Sequence, residues 1–120
     1  MDQRAIDLLK RERVCVLAVC LLDGNCHGAT MHFSHQVDPV TIYIQTESTS
    51  IKCKKLPTKA SVVVGFSEET MQTLQMDGDI QQATELEEIY KTHYAKHPTA
   101  EQYKNDPTTV FLAFTPTWWR

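Results

Sequence analysis

The 120-residue sequence lacks features that would place it in a membrane, secreted or nucleic-acid-binding class. Its longest strongly apolar run, VCVLAVCLL at 14–22, is too short to span a bilayer. The first residues, MDQRAIDLLKRER, mix acids and bases, which is not the pattern of a secretory signal. The formal net charge of −3 argues against non-specific nucleic-acid binding over the whole surface. We therefore expect a cytoplasmic protein with no membrane or nucleic-acid partner.

Disulfide frameworks and the commonest catalytic motifs are also missing. The four cysteines, Cys15, Cys20, Cys26 and Cys53, form no CxxC pair and lack the dense spacing of a disulfide scaffold. We predict that they are reduced, with Cys15 and Cys20 acting as small hydrophobes in an apolar strand. No GxSxG, GxGxxG or GxxxxGK[ST] motif is present. Any bound cofactor phosphate must therefore be held without these glycine-rich loops.

The first half of the sequence has the pattern of one small domain, 1–120, that begins with a helix and continues with strands. Asp2 is predicted to cap a helix at 2–12. The apolar stretch 13–22 predicts a strand that is buried on both faces. Asp23-Gly24-Asn25 predicts a hairpin turn. The partner strand follows at 26–33, and another strand is predicted at 40–46.

The second half predicts further strands and the clearest helix. Strands are expected at 60–66 and 70–76, with a turn at 77–79 and a last strand at 108–114. TELEEIYKTHYAKH (84–97) predicts a helix with Thr84 and Glu87 as a capping box. About six short antiparallel strands with peripheral α-helices predict a mainly β fold of the barrel type.

The stretch IYIQTESTSIKCKKL (42–56) predicts a strand that hands over to a short helix through hydroxyl-bearing residues. Thr46, Ser48, Thr49 and Ser50 can donate hydrogen bonds to a phosphate, and Lys52 adds a positive charge. Two simpler interpretations compete. A serine or threonine caps the helix, or the lysines form a solvated basic face.

The histidines fall in two groups. His27, His32 and His35 lie close in sequence, but on a strand residues 27 and 32 point to opposite faces, which disfavours a metal site. His93 and His97 have i, i+4 spacing and lack an evident carboxylate or cysteine partner, so we expect surface histidines there.

Trp118 and Trp119 place two large rings at the end of the chain. Either they pin the C-terminus onto the barrel, or they cover a partner subunit or a flat aromatic ligand.

Taken together, these segments resemble the pyridoxamine 5'-phosphate oxidase-like, FMN-binding split-barrel family, in particular its short general-stress-protein-type members. The resemblance covers nearly the whole chain, and its most specific part is Thr46-x-x-x-Ser50-x-Lys52 after a strand. It implies that this segment binds the phosphate of FMN. It also implies a homodimer with the cofactor at the subunit interface.

The resemblance further implies roles for residues outside that segment. HGATMHF corresponds to the strand along the isoalloxazine ring, with His27, Thr30, Met31 and His32 as candidate cofactor contacts. Other implied contacts are Gln45 beside the ribityl chain, Thr73 beside the flavin, and Trp118 or Trp119 at the partner's flavin.

Departures from the family pattern limit the activity that the resemblance implies. His27 and His32 stand where arginine and lysine are frequent, which predicts weaker cofactor retention and a pH-dependent redox balance. The sequence ends at Arg120 without a C-terminal substrate-binding segment, so we do not expect true pyridoxamine phosphate oxidase activity. A flavin-dependent oxidoreductase of unknown substrate is expected. A non-enzymatic flavin or haem carrier and a deazaflavin-dependent reductase are the alternatives.

Overall fold

The computed structural model describes all of residues 1–120 as one antiparallel seven-stranded sheet with two α-helices. The elements are α1 Gln3–Arg11, β1 Val14–Cys20, β2 Cys26–His32, β3 Ser34–Gln36, β4 Thr41–Glu47, β5 Thr58–Val64, β6 Leu74–Gln82, α2 Glu87–Lys96 and β7 Thr109–Trp119. The strand order is β2-β1-β5-β6-β7-β4-β3, and the sheet curls so that β2 contacts β4. This confirms the mainly β, split-barrel fold. No helix has the length and apolar character required to cross a membrane.

The main core lies inside the curl and explains most of the strand alternation. The inward positions of β1 are Cys15, Leu17 and Val19, and α1 adds Leu8 and Leu9. Outward positions of β1 remain in solvent, with Val14 at 44% and Val16 at 47% exposure. The prediction that this strand is buried on both faces is therefore wrong, because nothing within the single chain covers its outer face.

β4 is the strand that is buried on both faces. Ile42 and Ile44 enter the main core. Tyr43 packs on the other face with residues of α2 and β7 in a second cluster, Tyr43, Ile89, Tyr94 and Phe111. This double burial fixes the end of β4, Gln45 to Glu47, against the rest of the molecule.

The turn predicted at 77–79 does not exist. β6 runs without interruption through Asp77, Gly78 and Asp79, and the register of its pairing with β7 shifts between Asp77 and Gly78. The polar residues Asp77 and Asp79 point outward, while Met76, Gly78 and Ile80 are buried. Alternation on a half-buried strand therefore produced the Asp-Gly-Asp pattern that resembles a turn. Residues 70–73, the first part of the strand predicted at 70–76, lie in a loop, and the strand begins at Leu74.

Of the predictions about where helices begin, the cap of α1 is confirmed and the cap of α2 is wrong. Asp2 caps α1 as expected, because its carboxylate accepts a hydrogen bond from the Ala5 backbone N–H at 3.0 Å. The Thr84–Glu87 capping box does not form, and α2 begins after Leu86 without a side-chain cap. The predicted helix after Ser50 is only a single 3-10 turn, Ile51–Cys53.

Candidate functional site

Two adjoining cavities lie beside the end of β4 and share Gln45 and Tyr103 in their walls. We call them the hydroxyl end, of about 450 Å³, and the histidine end, of about 370 Å³. Both volumes lie in the range of ligand pockets. The hydroxyl end is lined by Gln45, Thr46, Glu47, Ser50, Lys52, Tyr103, Asp106, Thr108 and Thr109. The histidine end is lined by Arg13, Thr30, Met31, His32, Gln45, His93, His97, Thr99, Ala100, Gln102 and Tyr103.

The hydroxyl end brings together Thr46, Ser50 and Lys52, the three residues of the segment predicted to bind a phosphate. The backbone bends back after β4 because the Ser50 N–H donates to the Glu47 carbonyl at 3.0 Å. The Ser48 N–H donates to the Thr108 carbonyl at 2.7 Å, which ties the bend to the start of β7. As a result, Thr46, Ser50 and Lys52, which are separated by four and then two positions in the sequence, line one cavity.

The hydroxyl groups of this bend are not used for capping. Ser50 is the N-cap of the 3-10 turn, but its side chain makes no capping bond, and its hydroxyl has only a 3.5 Å contact to the Cys53 sulfur. Thr46, Ser48 and Thr49 make no side-chain hydrogen bond within the chain. A single 3-10 turn contributes little dipole, so the anion-binding character of this end depends on the hydroxyls and Lys52.

The lysines that follow do not behave as one basic face. Lys59 forms an ion pair with Asp79 at 2.6 Å on the opposite part of the sheet. Lys52 lines the hydroxyl end and has no carboxylate within 4.0 Å. Its charge is therefore available to a ligand.

Acidic groups also border the hydroxyl end. Asp106 accepts hydrogen bonds from the Thr108 N–H and hydroxyl, both at 2.8 Å, and these bonds lower the pKa of its carboxyl. Asp106 is thus negatively charged at neutral pH, and Glu47 is exposed at the same rim. These two carboxylates oppose an anion, so Lys52 and the free hydroxyls must outweigh them for a phosphate to bind.

The histidine end receives Thr30, Met31 and His32 from β2. Alternation along β2 places Thr30 and His32 opposite Val16 and Val14 on the outer face, while Met31 packs against the core. His32 is exposed and makes no hydrogen bond within the chain. It therefore offers a free imidazole at this end.

A buried hydrogen-bond network forms the back of the histidine end. His93 Nδ1 lies 2.8 Å from the buried hydroxyl of Ser34. Because this hydroxyl has no other acceptor in the chain, we assign it as the donor, which leaves the ring proton of His93 on Nε2. Burial, then the nearby His97, Lys96 and His32, lowers the pKa of His93 to about 4. His93 is therefore a neutral hydrogen-bond donor at physiological pH.

His97 is oriented just as firmly. Its Nε2–H donates to the Phe33 carbonyl at 2.7 Å, and its Nδ1 accepts from the Arg13 guanidinium at 3.2 Å. Burial is the main cause that lowers the pKa of His97. Its ring contacts that of His32 edge-on, at a centroid distance of 5.1 Å. Both nitrogens are occupied, so His97 positions its neighbours and is not free to bind a ligand.

Gln45 connects the two ends through structural bonds. Its amide oxygen accepts from the Tyr94 hydroxyl at 2.6 Å, and its amide nitrogen donates to the Ala100 carbonyl at 3.2 Å. The side chain therefore fixes the segment after α2 over the end of β4. Its predicted contact with a ribityl chain stays a prediction.

Three of the ten predicted site residues lie elsewhere in the single chain. His27 faces the inner side opposite Val19 and lines neither cavity. Thr73 lies in another cavity, beside α1 and Trp119, where its hydroxyl contacts the Val64 carbonyl at 3.5 Å. Trp118 extends β7 opposite Asp77 and is 47% exposed.

Sequence reasoning missed the network behind the histidine end. His93 and His97 were expected on the surface, but they are 1% and 3% exposed. This prediction is wrong because α2 packs that face onto β3, β4 and β7. The signal was present, since His93 shares a helix face with Ile89 and Tyr94. For Arg13 and Tyr103, which also line the histidine end, no sequence pattern indicated a place in the site.

Similar folds are found among solved structures, whereas no protein of curated function matches the sequence. A candidate pyridoxamine 5'-phosphate oxidase from Listeria innocua aligns with a TM-score of 0.76 at 18% identity, covering 98% of this chain and 94% of that one. General stress protein 26 from Bacillus anthracis aligns with a TM-score of 0.75 at 17% identity, covering 95% and 87%. The haem storage protein HutZ from Vibrio cholerae gives 0.75 at 10% identity, covering 99% and 92%. At these identities the similarities establish the fold alone.

The sequence itself gives the family. The model of the pyridoxamine 5'-phosphate oxidase family matches residues 1–120, which is the entire chain. The curled sheet, with a hydroxyl-rich bend after β4, agrees with this match. The chain belongs to the pyridoxamine 5'-phosphate oxidase family.

Proposed function

We propose that this chain binds FMN as a homodimer and acts as a flavin-dependent oxidoreductase. The observation that supports this most directly is the pair of adjoining cavities. One has free hydroxyls and an unpaired lysine, and the other has Met31 and neutral or exposed imidazoles. Such a site suits an elongated ligand with an anionic group at one end and a flat polar ring system at the other.

The residues of the hydroxyl end fit a phosphate. Thr46 and Ser50 would donate hydrogen bonds, and Lys52 would supply the positive charge. At the histidine end, His93 would donate from Nε2 to an acceptor atom of the ring system, while Met31 would pack against it. FMN, when bound, would accept and donate electrons, and the protein would bind and orient it.

A second copy of the chain would account for the uncovered outer face. Val14, Val16 and Val63 expose apolar surface on β1 and β5, and Trp118 adds an exposed ring at the end of β7. Exposed apolar surface of this kind is typical of subunit interfaces. We propose that a homodimer through this face places Trp118 near the partner's cavities, which is the role predicted for it.

We expect the protein to bind FMN. The substitution Lys52→Ala should weaken that binding by about 10-fold or more, because a charge-assisted contact to the phosphate is lost. Binding is measured by quenching of FMN fluorescence during titration with protein. Riboflavin has no phosphate, so its affinity should change by no more than about 2-fold. Ser50→Ala should act in the same direction with a smaller effect.

The matched control is Lys54→Ala. It also removes one lysine charge, but Lys54, two residues after Lys52, does not line the cavity. This variant should bind both ligands as the original protein does. Equal weakening of FMN and riboflavin by Lys52→Ala would contradict the assignment of the phosphate position. Unquenched FMN at high protein concentration would contradict the proposed function itself.

Catalysis is tested on the FMN complex without oxygen. If the protein is an oxidoreductase that uses a nicotinamide donor, NADH or NADPH should bleach the flavin absorbance. A spectrum that stays unchanged with both donors would favour a carrier.

Haem binding is the second candidate, and the free imidazole of the exposed His32 favours it. A haem storage protein shares the fold, although at 10% identity. If haem is the ligand, titration with haemin should give a sharp Soret band that His32→Ala abolishes and His27→Ala retains, because His27 does not line the cavity. A Soret band unaffected by His32→Ala would argue against this candidate.

A further inference from the structure

Cys20 and Cys26 face each other directly across the β1–β2 hairpin. They are Cα partners in the antiparallel register, the last pair before the turn at 21–25. Directly opposed residues project their side chains to the same face of the sheet. The hairpin therefore places two thiols side by side, although five residues separate them in the sequence.

The hydrogen-bond pattern makes this a non-hydrogen-bonded pair. The Leu21 N–H donates to the Asn25 carbonyl at 2.8 Å, and at the other end of the hairpin the Phe33 N–H donates to the Arg13 carbonyl at 3.2 Å. Bonded and non-bonded pairs alternate, so odd-numbered residues of β1 are bonded and Cys20 is not. Non-bonded pairs have a Cα separation of about 4.5 Å, which lies within the range that a disulfide spans.

The backbone around the pair is held in place. Asp23 accepts hydrogen bonds from the Asn25 N–H and side-chain amide at 2.9 and 3.0 Å, and Gly24 takes the positive φ of 84° that the turn requires. The Thr58 hydroxyl donates to the Cys20 carbonyl at 3.2 Å and anchors this end of β1 to β5. These contacts hold the backbone of the two cysteines in the register of a directly opposed pair.

Access separates this pair from the other two cysteines. Cys26 is exposed and Cys20 half-buried, whereas Cys15 is 2% exposed and points into the core. The Cys53 sulfur contacts the Ser50 hydroxyl and the Glu47 carbonyl, both at 3.5 Å. All four thiols are free in the structure. Within the single chain, only the hairpin pair combines a facing partner with solvent access.

We propose that Cys20 and Cys26 form a reversible cross-strand disulfide by exchange with a low-molecular-weight disulfide such as oxidised glutathione. The Cys26 thiolate attacks the glutathione S–S bond, forms a mixed disulfide and releases one glutathione thiolate. The Cys20 thiolate then attacks the Cys26 sulfur and releases the second. Two protein thiols are oxidised, one glutathione disulfide is reduced to two thiols, and each cysteine loses one proton.

The exposed position of the pair predicts that this disulfide is easily reduced again. Exposed or strained disulfides are the labile ones, whereas buried structural disulfides resist reduction. Along β2, Cys26 lies four residues from Thr30, the nearest residue of that strand in the histidine end, which is a separation of about 13 Å. The modification site is thus separate from the proposed cofactor site.

The test incubates the folded chain with millimolar oxidised glutathione, blocks free thiols and counts them by mass spectrometry. We expect two of the four thiols to disappear and the mass to fall by about 2 Da. Cleavage at Asp23 should leave the fragments with Cys20 and Cys26 joined by a disulfide. Excess reduced glutathione should restore all four thiols.

Single variants distinguish the proposed pair from other reactions. Cys26→Ser and Cys20→Ser should each prevent the internal link and yield at most a glutathione adduct. Cys53→Ser, the matched control, should still form it. Four free thiols after oxidation, a link that includes Cys15 or Cys53, or stable glutathione adducts in the unsubstituted chain would overturn the proposal.

Discussion

We expect Gly78→Ala to lower the free energy of unfolding by about 3 kcal/mol or more. Gly78 lies on β6 at the register shift of its antiparallel pairing with β7, where it is paired with Pro116. A Cβ at this position would overlap the Thr115 carbonyl oxygen and come within 2.8 Å of the Pro116 Cα. Both obstacles are backbone, so neither can rotate away as a side chain would. One of the two strands must move, at the cost of the β6–β7 pairing.

Urea unfolding followed by tryptophan fluorescence measures this effect, since both tryptophans lie at the end of β7. Gly28→Ala is the matched control, because Gly28 is also a strand glycine but a Cβ there would meet only the Leu17 carbonyl, at 3.9 Å. We expect that variant to be neutral or slightly stabilised. Equal stability of the two variants would show that β7 does not approach β6 as closely as described.

We expect the free energy of unfolding to fall by about 3 kcal/mol between pH 7 and pH 4 because of His93 alone. Burial, reinforced by His97, Lys96 and His32, lowers the pKa of His93 from 6.5 to about 4. Between these two values the unfolded chain binds a proton that the folded chain does not. Acid therefore favours the unfolded state in this window, and the contribution of His93 becomes constant only well below pH 4.

The measurement compares urea unfolding of the unsubstituted chain and of His93→Asn at several pH values. Asparagine keeps an amide near the position of Nδ1 beside Ser34 but does not titrate. The variant should be less stable at pH 7, and its stability should depend less on pH, so the difference between the two proteins narrows from pH 6.5 to pH 4. Parallel pH profiles would show that His93 does not titrate as described. The pKa of His97 and of His35 is also lowered, mainly by burial, and both add to the slope of both proteins.

The first hairpin and the cap of α1 were readable from the sequence. Asp2 caps α1, and Asp23-Gly24-Asn25 turns β1 into β2, because both depend on bonds among neighbouring residues. The errors in the strands arose where contacts with distant residues decide the structure. Asp77-Gly78-Asp79 has turn composition, but pairing with β5 and β7 keeps it in a strand. The apolar residues of β1 predicted burial on both faces of that strand. The sequence did not reveal that no other element of the chain covers its outer face.

The candidate site divides in the same way. Thr46, Ser50 and Lys52 lie within seven residues, so local bending was enough to bring them to one cavity, and the sequence identified them together. The opposite wall is made by Tyr103, Asp106 and Thr108, which reach the bend only because β7 pairs with β4. The carboxylate of Asp106, which opposes an anion there, could not be foreseen.

The sequence by itself determined the family, through its match to the family model over residues 1–120. It also determined the strand-rich architecture and the hydroxyl-rich bend, because periodicity and short-range hydrogen bonding are encoded in adjacent residues. Only the tertiary structure decided that His93 is buried and neutral, that Gln45 is bound to Tyr94, and that Cys20 faces Cys26. Each of these depends on a pairing register or on the docking of α2. Such contacts are set by the burial of the whole core rather than by any local stretch of the chain.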